Sequence, residues 1–435
     1  MLDSRVRDDI TKAVDDLQDE LIDLLVSMIQ IPSVNPTMPN TDPDLYPCGE
    51  SKVAEYLAPI MSDMGLEVDL FAEVEGRSNI CGVLKGSGGG KSLIFNGHMD
   101  VVPPGPLADW TIAGPWSGEI IDGKIYGRGA ADMKSGNAAA IIGLKAVLAA
   151  GYQPKGDVLL QNVVGEENME TSAGTGAFLK RGYTADAAIV VESSSFPQSL
   201  SICTAQANNQ VFIVTVKGKT LHCALRGETI RAGGYGSQMG VNSIDKAMVI
   251  YNGLKRLEDE WGRTKSHELW TRPGYFSIYP TVFNGGRPED GPTLMSAETT
   301  MCYTASTPPD EPTAQTRKEV EEVIHLLCQT DDWLRENPPA VEWPLIWPGW
   351  ETGSDAPISR AVHNAYEKSF NKQPNYYGFW SASDATFLNQ AGIPTICFGP
   401  GSVQHAHAAN EQVDIEELVN AAKVYAMSIV EWCGV

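Results

Sequence analysis

No two cysteines in this chain are spaced as Cys-x-x-Cys. The eight cysteines, Cys48, Cys81, Cys203, Cys223, Cys302, Cys328, Cys397 and Cys433, lie far apart, which argues against a zinc ribbon and against a dithiol redox motif. Basic residues are scarce, 32 Lys and Arg against 55 Asp and Glu, for a net charge of −23. Nucleic acid and anionic membranes need a basic surface, so neither is an expected partner. No apolar run reaches the length of a membrane span. Internal repeats and low-complexity tracts are also missing. The segment from Met1 to Asp9 is charged and does not read as an apolar signal, so a cytoplasmic protein with reduced, buried thiols is the expectation.

At 435 residues the chain is too long for one ordinary core, which implies two domains. Hydrophobic content of 43% and charged content of 20% are those of a globular protein. Ile10, Val14, Leu17, Leu21, Leu24, Leu25 and Met28 recur at helical steps, and Pro32 ends that run. A second helix reads from about Lys52 to Met64, stopped by Gly65. Short apolar runs follow at Ser92–Phe95, Val158–Val164, Ala187–Val191 and Thr395–Phe398, as in buried parallel strands, with a helix over about Ser135–Ala149. This alternation predicts an α/β fold, a mixed sheet flanked by helices.

The middle third differs. Gln210–Lys217 alternates like a half-exposed strand, a helix spans Asn242 to about Leu257, Tyr275–Phe283 and Thr293–Thr304 read as strands, and a helix runs from about Thr313 to Leu327. Two strand-helix-strand halves predict an inserted α+β domain over 205–347, between catalytic segments 1–204 and 348–435. Pro338, Pro339, Pro344 and Pro348 mark the expected return linker.

Chemistry gathers where apolar runs end. His98-Met-Asp100 follows Ser92-Leu-Ile-Phe-Asn-Gly. Asp132 sits in Gly129-Ala-Ala-Asp-Met-Lys134, the pair Glu166-Glu167 follows Gly165, and Glu192 follows Val191. His405-Ala-His407 and Glu411 close the set after Gly399-Pro-Gly401. Ligands collect beyond the carboxyl ends of strands in such sheets. Histidines and carboxylates placed there are what a site for two divalent metals requires. Taken singly, Asp132 could be a helix N-cap and Asp100 a loop cap. A His-x-Asp at a strand end instead lets Asp100 take the proton of the second ring nitrogen and fix His98 as a ligand. For His267, His325 and His363 the ordinary packed or surface role is the reading.

With these motifs the sequence resembles the M20 metallopeptidase family, which includes acetylornithine deacetylase, succinyl-diaminopimelate desuccinylase and glutamate carboxypeptidase. The resemblance covers nearly the whole chain. It implies that His98 and Glu192 bind one metal, Glu167 and His407 the other, and Asp132 both, with a cis Asp132–Met133 peptide. It makes Glu166 the general base, and it picks His407 over His405 because the histidine follows Ala406. His222, in Thr220-Leu-His-Cys-Ala224, resembles the lid-domain histidine that reaches the active site of a partner subunit in a homodimer. Gly240-Val-Asn242 follows as in the family, which makes Asn242 a substrate contact. The cofactors implied are two divalent ions, zinc first, with manganese or cobalt admitted. The activity implied is hydrolysis of a C–N bond in a small molecule, an N-acyl amino acid or a related amide.

The pattern breaks in one region. Many relatives read the substrate's carboxylate with an arginine on a strand of the inserted domain, and Glu298–Pro308 contains none. The desuccinylase-type arginine after Ser-Asp-Gly is replaced by Ser383-Asp-Ala-Thr386. Arg287, Arg231 and Arg226 are the substitutes at hand. Trp343, Trp347, Trp350, Phe379 and Trp380 hint at an aromatic pocket. Alternatives are therefore an aminohydrolase acting on an aromatic amine, a deformylase of pyrimidine amines, and, from a different class, a non-catalytic small-molecule-binding homologue. The last predicts loss of a ligand or of the base, and all are present.

Overall fold

In the computed structural model, described at residues 4–39, 41, 42, 44–286, 291, 293–379 and 381–435, the chain divides into two compact units, Met1–Ala205 with Thr352–Val435, and Gln206–Glu351. Arg287 and Trp380 lie outside the described residues.

The sheet of the larger unit runs in the order Glu67–Val74, Arg77–Leu84, Val158–Val163, Leu93–His98, Ala187–Val190, Thr395–Cys397, Ile202–Gln206, and Tyr376–Phe379 pairs with the last of these. Its centre is parallel: Leu93–His98 pairs in parallel with both Val158–Val163 and Ala187–Val190, and Ala187–Val190 with Thr395–Cys397. All four of these strands are buried along their whole length, which is why they read as apolar runs and not as alternation. Helix Lys134–Ala149 is apolar on nearly every face and packs against helix Ile415–Cys433, so it is a buried core element. Gly136 allows that helix its approach: a Cβ there would sit 1.9 Å from the carbonyl oxygen of Val191.

The first apolar stripe is not one helix. Helices Ser4–Asp16 and Gln18–Ile29 break at Leu17. Asp15 and Asp16 close the first helix with no basic residue in its last turn, where carboxylates oppose the helix dipole. Asp19 and Glu20 open the second, where they favour it. The stripe continues across the break, so periodicity alone could not reveal it. The hairpin of Glu67–Val74 with Arg77–Leu84, turned at Gly76 (φ +79°), was also not evident from the pattern.

The smaller unit is a four-stranded antiparallel sheet in the order Ser277–Gly285, Glu298–Thr307, Asn208–Lys217, Ala340–Trp347, with helices Ser243–Thr264 and Thr313–Gln329. The proline-marked segment expected as a linker is its last strand. Ala340–Trp347 is an edge strand whose register shifts between Glu342 and Leu345, and Pro344 falls at that shift, where no ladder donor is needed. The strand expected at Thr293–Thr304 begins later, at Glu298. Phe212, Val214, Leu254, Trp261, Met301, Tyr303 and Ile324 form the core, with the Phe212 and Tyr303 rings stacked at 5.0 Å. Burying each large apolar side chain contributes about 1.5–3 kcal/mol.

Candidate active site

Three parallel strands and one loop bring the singled-out side chains together in the larger unit. His98 ends Leu93–His98, Glu166 and Glu167 follow Val158–Val163, Glu192 follows Ala187–Val190, and His407 lies on the loop after Thr395–Cys397. Asp132 precedes helix Lys134–Ala149 but does not cap it, since Met133 holds the cap position without a side-chain bond. The Asp132–Met133 peptide is cis.

Asp132 stands between the two histidines. Its Oδ1 is 3.1 Å from His98 Nε2, and its Oδ2 is 3.3 Å from His407 Nε2. Glu192 Oε1 lies 3.5 Å and Glu166 Oε2 3.8 Å from the same His98 nitrogen. Glu167 Oε2 lies 2.9 Å from His407 Nε2. His405 turns instead toward Gln412, at 3.5 Å. Two groups could each hold a cation, with ligand atoms within 4.8 Å of one another: His98, Asp132 and Glu167, and His98, Glu166 and Glu192.

The second nitrogen of His98 departs from the expected partner. Nδ1 faces the main-chain carbonyl of Asp100 at 2.9 Å, and the Asp100 carboxylate stands at 3.8 Å. Asp100 Oδ2 accepts from Asn35 Nδ2 at 2.8 Å and from the Glu167 main-chain N–H at 3.1 Å, while its Oδ1 is buried without a partner. Asp100 therefore ties the strand end to the Glu166-Glu167 turn as well as orienting the imidazole.

Electrostatics distinguish this cluster. Burial pushes the Glu166 carboxyl well above its usual range, with Glu192, Asp384 and Glu167 adding repulsion. Burial raises Glu167 to about 7, Asp132 adding to it, and Glu192 is raised for the same two reasons. Asp132 goes the other way, because both histidines hold its charged form. His407 is raised to about 11 by Asp132 and Glu167. None of the four carboxylates pairs with a Lys or Arg among the described residues. Buried like charges without a counter-charge are costly, and a mixed imidazole and carboxylate set suits divalent ions, so the residues present fit such a pair.

Sequence reasoning missed several supports. Asp384 is buried beside this cluster, its carboxyl raised to about 7 by burial, with Oδ1 lacking a partner. Asn35 was within reach, since Pro32-Ser-Val-Asn35 follows the first helices and leads into the site. In the smaller unit, Asn242 caps helix Ser243–Thr264 through Oδ1, accepting from Ile244 N–H at 3.0 Å. Arg231 is exposed, and Arg226 pairs with Asp245 at 2.7 Å. Of the aromatic residues, Trp347, Trp350 and Phe379 are buried, and Trp343 is half-buried and packs on Phe212 at 4.8 Å. His222 is exposed, and its Nδ1 accepts from the Ala224 main-chain N–H at 3.2 Å.

A family model for peptidase family M20/M25/M40 matches residues 94–431. The chain belongs to that family, and it is a metal-dependent hydrolase of C–N bonds. It is 32% identical to N-formyl-4-amino-5-aminomethyl-2-methylpyrimidine deformylase of Halalkalibacterium halodurans, over 98% of each chain. The deformylase of the same name from Bacillus subtilis is also 32% identical, over 98% of this chain and 97% of the relative. A di-peptidase of Saccharomyces cerevisiae, Dug1p, shares the fold with a TM-score of 0.76 at 16% identity, over the full length of both.

Proposed function

We propose that this chain removes a small acyl group, formyl foremost, from an amine carried on an aromatic heterocycle, using two divalent ions. The observation that carries the metal reading is Asp132, with one oxygen turned to His98 and the other to His407 among acids that meet no Lys or Arg among the described residues. His98 and Glu192 would hold one ion, Glu167 and His407 the other, and Asp132 both. The substrate class is supported by 32% identity to two deformylases over nearly the whole chain, and by a strand Glu298–Thr307 without an arginine to read a substrate carboxylate.

Bound ions would polarise the scissile carbonyl and lower the pKa of water, and zinc, manganese or cobalt could serve. Glu166 takes the proton from the attacking water and hands it to the departing nitrogen. Asp100 keeps the His98 ring in place through the contact at Nδ1.

His222 acts on the oxyanion. Its Nδ1 is an acceptor for Ala224, so the neutral ring bears its proton on Nε2 and can donate there. Such a donor is typically worth about 2.7–4 kcal/mol. A second copy of the chain would supply it. Strand Ser277–Gly285 is a sheet edge exposing Tyr279, Val282 and Phe283, and an unpaired apolar edge of this kind favours pairing with another chain. Sedimentation should find a homodimer, and mixing His222→Ala with Glu166→Gln subunits should restore part of the activity. A fully active monomer overturns the dimer reading.

The deciding assay offers metal-loaded protein an N-formyl aminomethylpyrimidine, N-acetyl and N-succinyl amino acids, dipeptides and amino-aromatics. Preference for the formyl amide by kcat/KM is expected. Turnover confined to N-succinyl or N-acetyl amino acids overturns the substrate class.

A further inference from the structure

Glu411 is fully buried and sits four residues beyond His407. Its Oε1 accepts three main-chain N–H bonds, from Gly129 at 3.0 Å, Ala131 at 2.9 Å and Asp132 at 3.0 Å. Its Oε2 accepts from Arg128 Nη1 at 2.5 Å, and Arg128 is itself buried. The main-chain carbonyl of Glu411 accepts from Gly127 N–H at 2.9 Å, and Gln412–Asp414 then pairs antiparallel with Lys124–Tyr126. A single carboxylate thus gathers the donors of the turn that ends at Asp132, from a segment zipped to the strand before that turn. The same stretch of chain carries His407. Backbone packing reinforces the join, because Gly401 (φ +93°) leaves only 2.9 Å between the site of a Cβ and Ala131 Cα.

We infer that Glu411 is a positioning residue that sets the place of Asp132 relative to His407, and hence the affinity of the site for its second ion. A carboxylate has acceptors only, so it suits a ring of four donors without leaving any donor unmet. Changing Glu411 to Gln turns one oxygen into an amide donor facing the Arg128 guanidinium, and the cradle must distort. Replacing Arg128 with Met at the same time removes that donor clash and leaves the amide oxygen to the three N–H groups.

The inference rests on the reading that His98, Asp132, Glu167, Glu192 and His407 hold ions, and the experiment separates the two. Protein stripped of metal is titrated with Co2+ alone, following the visible d–d absorption, alongside far-UV circular dichroism and thermal unfolding of the metal-free protein. Glu411→Ala and Glu411→Gln should each weaken Co2+ binding by roughly 10–100-fold, the range for loss of an outer partner of a metal ligand. The weakening should fall on one of two binding steps, with a changed d–d spectrum and a larger fall in kcat than rise in KM. Glu411→Gln/Arg128→Met should recover most of the affinity. Should Glu411→Ala fail to fold, the Glu411→Gln pair of variants decides. Parent-like Co2+ affinity and spectrum in folded Glu411→Gln overturns the inference, as does a loss confined to thermal stability. Absence of Co2+ binding by the parent protein overturns the metal-site reading itself.

Discussion

The larger unit buries carboxylates in two different settings. Glu50 meets Arg77 through two bonds of 2.6 and 2.7 Å, and Arg77 reaches Glu170 as well. Glu411 meets Arg128 and three main-chain N–H groups. In the cluster around Asp132, by contrast, Glu166, Glu167 and Glu192 meet imidazoles, one another and scattered N–H groups. Where a buried charge serves the fold, the chain supplies arginine: the Arg77 fork satisfies both oxygens of Glu50, and Arg128 takes one oxygen of Glu411 while main-chain N–H groups take the other. Where the acids have no arginine, imidazoles stand beside them instead, a mixed set that a divalent cation can bind. The first setting anchors the loops that present the second: Arg77 fastens the Glu170 end of the acid turn, and Glu411 fastens the turn before Asp132.

Removal of the ions should have the largest effect. Dialysis against a chelator should abolish turnover, and Zn2+, Mn2+ or Co2+ should restore it; a verified metal-free sample that keeps its rate sinks the account. Next comes Glu166→Gln, which should lower kcat by about 10²–10⁴-fold while ion content by mass spectrometry stays at the parent level. Near-normal turnover in that variant would remove Glu166 from the role of base.

On the arginine side, Arg77→Met leaves Glu50 buried without its partner. Denaturant unfolding should report a loss of about 3–5 kcal/mol. Titration sharpens the contrast further. His98 and His407 hold protons more tightly than ordinary imidazoles, through their carboxylate neighbours once the opposing effect of burial on His98 is overcome. Ligation needs both rings neutral, so ion binding must release protons. Affinity should therefore rise between roughly pH 6 and 8, by about tenfold per pH unit for each proton released. Calorimetry in buffers of different ionisation enthalpy counts those protons, and a pH-independent affinity contradicts the distances at Asp132. The smallest effect belongs to a surface pair. Arg226 and Asp245 are about 40% exposed, and Arg226→Ala should cost no more than about 1 kcal/mol in thermal or denaturant unfolding.

The parallel strands were legible because burial on both faces leaves uninterrupted apolar runs, and the candidate site residues stood out because His98, Glu166, Glu167 and Glu192 end or follow such runs. The break at Leu17 and the strand at Ala340–Trp347 were not. A stripe of side chains carries no mark of a local backbone break, and Pro344 is tolerated only because that strand is an edge with a shifted register.

Residue type and spacing marked which side chains could bind cations or move a proton, because those capacities reside in single groups, and the family resemblance assigned the separate roles. Only the folded chain decided that the carbonyl of Asp100 and not its carboxylate lies nearest His98 Nδ1, that Glu411 cradles the turn before Asp132, and that Asp384 is buried beside the acids. Those relations join residues up to 283 positions apart, and hydrogen bonds of a few ångströms have no signature in local sequence.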